Sequence, residues 1–344
     1  MIPTREQTAY EGVMMNLDQF ETISVSDIQK VFSIGFESAK RVMDRLIEEG
    51  VVEGGGYYMR KVLMRNAIGD GYHRIVSIQD ISCFGQCSLT VALPVISSFG
   101  IECAVVPTSV LSTHTSGFHD YTFRDLSGDL HGILGHWNKE GIKFDAVYTG
   151  YLGNAEDIDF ALRIAKENNC PLFVDPAFGD NGKLYGLFDE QYVKEIAPLC
   201  FLSDYLLPNL TEAYALLGKA YNPNPSIEEC ESISVGLIGK GAKNIILKGI
   251  KDGWGNIGIM VTNEKGKTTY FHRHVDTDFH GTGDLFASVF VSGVVKGLNP
   301  GKASQLAATV TLEAIDNTVG DEKHCYGVKF EPLLSGLMAR LKNI

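Results

Sequence analysis

The residues best suited to chemistry lie near the end of the chain, in His280-Gly281-Thr282-Gly283-Asp284-Leu285-Phe286-Ala287. Two glycines before a helix let the backbone turn tightly and aim free N–H groups outward. With the positive end of the helix dipole, those donors form a site for phosphate. Asp284 falls in the first turn, where an anion is also favoured. Beside a phosphate cradle a carboxylate repels its ligand unless it has another task, such as taking a proton from an attacking hydroxyl. The alternative for these eight residues alone is a capped helix with glycines for close packing. Leu285, Phe286, Ala287, Val289, Phe290, Val291, Val294 and Val295 continue as an apolar run long enough for a buried helix, with Gly297 as its stop.

The elements that would position this stretch read as strands alternating with helices. Strands are predicted at Arg74–Ile81, Glu102–Val110, Asp145–Leu152, Pro171–Val174, Tyr205–Asn209 and Asn244–Gly249, with helices at Leu89–Phe99 and Ala155–Asn168. Gly85 to Ser88 read as a turn, and Thr211-Glu212 open a further helix. This alternation predicts a three-layer α/β/α domain with a mostly parallel sheet. Polar residues cluster where the strands end, which is where open α/β sheets place ligands. Asp175 and Glu212 stand at two such ends, suited to holding Mg²⁺ directly or through water, although each alone is as readily a cap or turn residue. Lys248 ends a strand where it could meet phosphates or simply snorkel to solvent.

Several motifs stand in order ahead of Gly281–Asp284. They are Ile78-Gln79-Asp80 with Gly85, Ser112-Thr113-His114-Thr115, Thr149-Gly150-Tyr151-Leu152-Gly153, Asp175-Pro176 with Gly179-Asp180-Asn181-Gly182-Lys183, and Pro208-Asn209-Leu210-Thr211-Glu212. Together they resemble the ribokinase superfamily, in particular its pyridoxal/pyridoxamine kinase and hydroxymethylpyrimidine kinase branch, over about residues 74–340. The resemblance implies ATP-dependent phosphorylation of the hydroxymethyl group of a B6 vitamer. ATP and Mg²⁺ are the implied cofactors, with a monovalent cation as an additional candidate. Asp284 would be the base, and the N–H groups of Gly281, Thr282 and Gly283 would hold charge on the transferred phosphate. It also implies that Asp80, His114, Thr115 and Tyr151 surround the substrate ring, that Val275 lies against the adenosine, and that the enzyme is a homodimer. Asp80 departs from pyridoxal kinases, which commonly carry Ser or Thr there, whereas hydroxymethylpyrimidine kinases carry Asp. Those pyrimidine enzymes in turn often have Cys after Gly-Thr-Gly, where this chain has Asp284. The alternative substrate is therefore hydroxymethylpyrimidine.

Residues 1–66 read as a separate small domain, 67–73 as a linker and 74–344 as the kinase-like domain. Helices are predicted at Thr4–Leu17, from a Ser24 or Ser26 cap to Phe32, and at Glu37–Glu49, followed by a glycine-turn hairpin over Val51–Leu63. Ile23 to Val52 resembles the winged-helix domain at the C-terminus of FtsK-type DNA translocases. That likeness implies a recognition helix at Glu37–Glu49 with Ser38, Lys40, Arg41 and Arg45 as DNA contacts. Residues 1–70 hold eight Lys/Arg and eleven Asp/Glu, a net of −3, where DNA binders usually carry a basic footprint. Self-association or packing is the competing role, and a vitamer-responsive DNA-binding regulator is a third expectation for the whole chain.

The net charge of −12 over 344 residues argues against broad nucleic-acid or anionic-membrane binding. Cys83, Cys87, Cys103, Cys170, Cys200, Cys230 and Cys325 are odd in number and scattered, as free thiols in a reducing cytoplasm would be. No signal peptide or 18-residue apolar run is present, so a cytoplasmic protein without a membrane span is expected.

Overall fold

The structure is a computed structural model, and it describes residues 5–15, 22–48, 51–52, 60–61, 72–115, 117–276 and 279–341. The chain forms two units, residues 1–71 with 295–298, and residues 72–294 with 299–344.

In the first unit, helices α1 (Arg5–Met15), α2 (Val25–Phe32) and α3 (Phe36–Glu48) accompany short strands β1 (Thr22–Ile23) and β2 (Arg60–Lys61). Ser24 starts α2 through a reciprocal cap. Its hydroxyl accepts from Asp27 N at 3.2 Å, and Asp27 Oδ2 accepts from Ser24 N at 2.9 Å. Ala39, Val42, Met43 and Leu46, on one stripe of α3, join Ala9, Val13, Ile23, Val25 and Ile28 in a small buried core. Arg60–Lys61 runs antiparallel to Thr22–Ile23. The glycine turn itself, and the 67–71 part of the linker, lie outside the described residues.

The second unit is built on a nine-stranded sheet, ordered β13-β12-β11-β10-β7-β6-β3-β4-β5. Its strands are β3 (Arg74–Ser82), β4 (Glu102–Leu111), β5 (Phe123–Asp125), β6 (Ala146–Thr149), β7 (Leu172–Val174), β10 (Tyr205–Leu206), β11 (Asn244–Lys251), β12 (Asn256–Asn263) and β13 (Gly266–Arg273). A separate hairpin joins β8 (Gly179–Asp180) to β9 (Lys183–Leu184). The flanking helices are α4 (Leu89–Ser98), α5 (Leu130–Lys139), α6 (Ala155–Asn168), α7 (Glu190–Leu202), α8 (Leu210–Leu216), α9 (Ile227–Lys240), α10 (Thr282–Val295), α11 (Pro300–Thr318), α12 (Glu331–Leu334) and α13 (Leu337–Arg340).

The six strands from β11 to β4 in that order run parallel, as the alternation predicts. β5, β12 and β13 add antiparallel edges that the sequence reading misses. Strands 145–152 and 205–209 are corrected to four and two residues, because the chain leaves the ladder as soon as it turns toward the site. Successive side chains alternate between faces. Val76, Ile78, Val147, Leu172, Val174, Leu206, Ile245 and Leu247 enter one core with α6, α7 and α9. Phe173 and Tyr205 instead meet Phe290 of α10, at 6.3 and 5.9 Å between ring centres. Packing on that second face holds α10 against the sheet.

Candidate active site

Gly281 makes the turn into α10 with φ of 75°, a conformation that strongly favours glycine. A Cβ there would stand 1.8 Å from Gln86 O, so the chain leaves no room for any side chain. Gly283 is different. It is helical, and a Cβ on it would meet nothing within 4 Å, leaving open space in front of the helix N-terminus. A phosphate can approach the backbone through that space. Gly283→Ala is therefore expected to fold with unchanged or slightly higher Tm, since alanine is favoured over glycine in a helix by about 1 kcal/mol. Its KM for ATP should rise severalfold, which steady-state kinetics would read directly.

Asp284 occupies the first turn of α10. Burial pushes its carboxyl up to about 7, a hydrogen bond from the Ser88 backbone N–H opposes the rise, and the charges of Asp175 and Asp80 add to it. A carboxyl titrating near neutrality can both accept and release a proton under working conditions. Asp80, buried near the end of β3, is likewise raised by burial, while hydroxyls of Ser88 and Ser82 hold it back. The Ser82 hydroxyl donates to Asp80 Oδ2 at 3.2 Å.

Asp175 follows β7, and its carboxylate takes both contacts of the Lys248 ammonium, at 3.1 and 2.9 Å. Strand β11 brings Lys248 there, and the ladder is irregular just beyond it, between Lys248 and Ile250, with Gly249 at φ of 80°. The ammonium thus has a carboxylate partner and does not end in solvent. Glu212 closes a reciprocal cap on α8: its Oε2 accepts from Asn209 N at 2.9 Å, and Asn209 Oδ1 accepts from Glu212 N at 3.0 Å. Its other oxygen accepts from Phe178 N at 3.1 Å. Burial, then the neighbouring Asp175, push Glu212 up to about 8. Burial also raises Asp175, against the pull of Lys248. Burial alone would lower the Lys248 ammonium, but Asp175 and Glu212 outweigh it and raise it.

Two buried carboxylates, one of which raises the other, suit a divalent cation. Among the described residues no group of three or more His, Cys, Asp or Glu side chains forms a metal site. Asp175 and Glu212 offer the oxygen donors that a hard cation such as Mg²⁺ takes, one or two from protein.

Of the expected ring contacts, His114 is buried, with Nε2 3.1 Å from Tyr326 O and its ring 5.1 Å from that of His280. Gly85 gives it room, since a Cβ there would stand 2.2 Å from the imidazole. Tyr151 is half-buried, 5.4 Å from Phe188, on a loop pinned where Tyr192 Oη donates to Leu152 O at 2.6 Å. Thr115 is exposed and borders a residue outside the description. Val275 is half-buried in the segment after β13. Asp80, Asp175 and Lys248 all lie within electrostatic reach of Asp284. The sequence reading missed Gln86 as a residue of this region: its backbone N–H donates to Tyr326 O and its carbonyl packs against Gly281, and no motif records backbone contacts. All seven cysteines are free thiols.

The phosphomethylpyrimidine kinase family model matches residues 93–329. The pyridoxine/pyridoxal/pyridoxamine kinase of Bordetella pertussis is 27% identical over 256 residues, covering 71% of this chain and 89% of that protein. The hydroxymethylpyrimidine/phosphomethylpyrimidine kinase of Bacillus subtilis is 27% identical over 250 residues, covering 72% and 83%. A candidate phosphomethylpyrimidine kinase from Bacteroides thetaiotaomicron, crystallised with pyridoxal, has a TM-score of 0.74 at 31% identity, covering 78% of this chain and 96% of its own. Pyridoxal kinase from Lactobacillus plantarum has a TM-score of 0.71 at 29% identity, covering 79% and 99%. The family model's match over residues 93–329, on a sheet shared with these solved structures, places the chain in the phosphomethylpyrimidine kinase family.

Proposed function

We propose that the protein transfers the γ-phosphoryl group of ATP to the hydroxymethyl group of a B6 vitamer, pyridoxal, pyridoxamine or pyridoxine. The observation that carries this reading is Asp284, poised near neutrality in the first turn of a helix whose glycine N-terminus lies open. Relatives named as pyridoxal kinases support it. Asp284 would take the hydroxyl proton as the oxygen attacks, and the N–H groups of Gly281, Thr282 and Gly283 would hold the charge of the transferred phosphate. Asp175 and Glu212 would hold Mg²⁺ directly or through water, and the ion would neutralise charge on the phosphates. Lys248, already paired with Asp175, would keep that carboxylate charged and in place.

Asp80 favours a second reading. A buried carboxylate that receives the Ser82 hydroxyl and keeps further acceptor capacity is suited to a ring nitrogen or an exocyclic amine. That chemistry fits pyridoxamine or an aminopyrimidine better than an aldehyde. One panel separates them: purified protein with ATP and Mg²⁺ against pyridoxal, pyridoxamine, pyridoxine and hydroxymethylpyrimidine. The expected result is 5′-phosphate formed from the B6 vitamers, with pyridoxamine preferred. Far faster turnover of hydroxymethylpyrimidine would move the assignment to the pyrimidine.

For the N-terminal unit, protein contact is favoured over DNA. Ser38 Oγ donates to Glu6 Oε1 at 2.9 Å, and Arg41 pairs with the same carboxylate at 2.5 Å. Arg45 lies 3.6 Å over the Tyr10 ring and donates to Gln7 Oε1 at 3.1 Å. Ser38, Arg41 and Arg45, expected as DNA contacts, are thus engaged with α1.

A further inference from the structure

Tyr151 stands where the chain has just left the sheet. The register pairs Thr149 of β6 with Ile78 of β3, and Tyr151 and Asp80 each follow that pair by two residues. The two strands therefore deliver Tyr151 and Asp80 side by side at the edge where open α/β sheets bind ligands. Residues 151–153 lie beyond the end of β6, and Gly150 and Gly153 give the backbone around them more freedom than other residue types would. Yet three successive residues are gripped from three different elements. Tyr151 O accepts from the Thr108 hydroxyl of β4 at 3.4 Å. Leu152 O accepts from Tyr192 Oη of α7 at 2.6 Å, and Gly153 N donates to Asp157 Oδ2 of α6 at 2.7 Å.

Two of these grips go beyond what the local elements require. Helix α6 is already capped by Asn154, whose Oδ1 accepts from Glu156 N at 2.9 Å and Asp157 N at 3.1 Å. The Asp157 carboxylate, buried at 1% exposure, is thus directed outside the helix, onto Gly153. Burial pushes that carboxyl up to about 6, and the Gly153 N–H opposes the rise. Gly153 lies between the acid and the ring: a Cβ on it would stand 3.4 Å from Asp157 Oδ2 and 3.7 Å from the Tyr151 phenol oxygen. Tyr192 reaches the same loop twice. Its hydroxyl holds Leu152 O, and its ring stacks on Phe188 at 3.9 Å, which in turn lies 5.4 Å from the Tyr151 ring. We propose that Asp157 and Tyr192 are positioning residues that fix Tyr151 beside Asp80, and so set how tightly the ring of the substrate is bound.

This inference rests on the kinase reading above, and its test separates the two. Wild-type enzyme is assayed first on the four-substrate panel, and the best substrate is then used for Tyr192→Phe, Asp157→Ala and Asp157→Asn. Tyr192→Phe deletes one oxygen and keeps the ring stack, so it should fold and raise the ring-substrate KM about fivefold, as one neutral hydrogen bond is worth. Asp157→Ala loses a charge-assisted bond and should raise it about tenfold. Asparagine can still accept from Gly153 N, so Asp157→Asn should recover most of that loss. ATP KM should stay within about twofold in all three. Tyr192→Phe and Asp157→Ala are then each combined with Tyr151→Ala. Residues that act through the Tyr151 ring have nothing left to position, so their effects on ring-substrate KM should vanish in the double variants, which a purely structural role would not produce. If Asp157→Ala does not fold, Tyr192→Phe and its double variant decide. A wild-type ring-substrate KM in both single variants, or the same rise with and without the Tyr151 ring, overturns the positioning roles. Wild-type enzyme inactive on the whole panel overturns the kinase reading, and this inference with it.

Discussion

Asp284→Asn is expected to lower kcat by about 10²–10⁴, the range supplied by a positioned general base, while ATP binding is retained. Asparagine keeps the shape and can still accept the Ser88 N–H, so the loss reports proton transfer and not disorder. The pH dependence follows from the raised carboxyl. Wild-type kcat/KM should climb as pH rises toward about 7, where Asp284 ionises, and level off above it. The variant should show no such limb. Stability should move the other way. A carboxyl raised from 3.8 to about 7 binds its proton more tightly when folded. Its stabilisation is complete below the unfolded value and is lost as pH climbs between the two. At pH 8 the folded protein therefore carries an ionised group it disfavours, at an upper bound of roughly 4 kcal/mol, reduced by the solvent that reaches a half-buried side chain. Asp284→Asn should raise Tm at pH 8 and leave it unchanged near pH 4. Parallel rate and melting profiles of the two proteins would check both halves. A variant with wild-type kcat removes Asp284 as the base.

Lys248→Met should be the most destabilising single change in the site. The methionine fills much the same volume, but it leaves Asp175 ionised and buried beside Glu212. Removing one partner of a buried pair typically costs about 3–5 kcal/mol. The effect should shrink as pH is lowered toward 5, because Asp175 and Glu212 can then protonate, and Glu212 already titrates at about 8. Denaturant melts at pH 8 and pH 5 would show a large and a small deficit respectively. Added Mg²⁺ with ADP should restore part of the loss at pH 8, if the two carboxylates accept the ion. A deficit equal at both pH values would mean that the lysine stem, not its charge, matters.

Much of this site was legible in one sequence because its parts are local. Gly281 through Asp284 are four adjacent residues, and the turn, the dipole and the carboxylate follow from their order. Asn154, Ser24 and Asn209 cap α6, α2 and α8 as their residue types suggest. What failed to show was relational. Asp175 and Lys248 are 73 residues apart, and nothing near either names the other. β12 and β13 escaped because an antiparallel edge half-open to solvent lacks the continuous apolar run by which the buried strands were found. Ser88 escaped for a third reason. A residue type that commonly caps helices sits at a helix start, and only its geometry reveals that its side chain makes no cap bond.

The turn at residues 85–88 has a bearing on how the chain acquires its activity during synthesis. It is made early, yet its partners arrive last: Gly281 almost 200 residues later, and Tyr326 and Glu331 about 240 later. Contacts of such long sequence separation form only after the intervening chain has collapsed. A nascent chain that has completed its six parallel strands would hold Asp175, Glu212 and Lys248, yet would have neither the base nor the phosphate cradle. The turn would lack the carbonyl of Tyr326 that accepts from Gln86. Competence to transfer phosphate therefore comes with the final portion of the polypeptide, and an unfinished chain cannot consume ATP on the way.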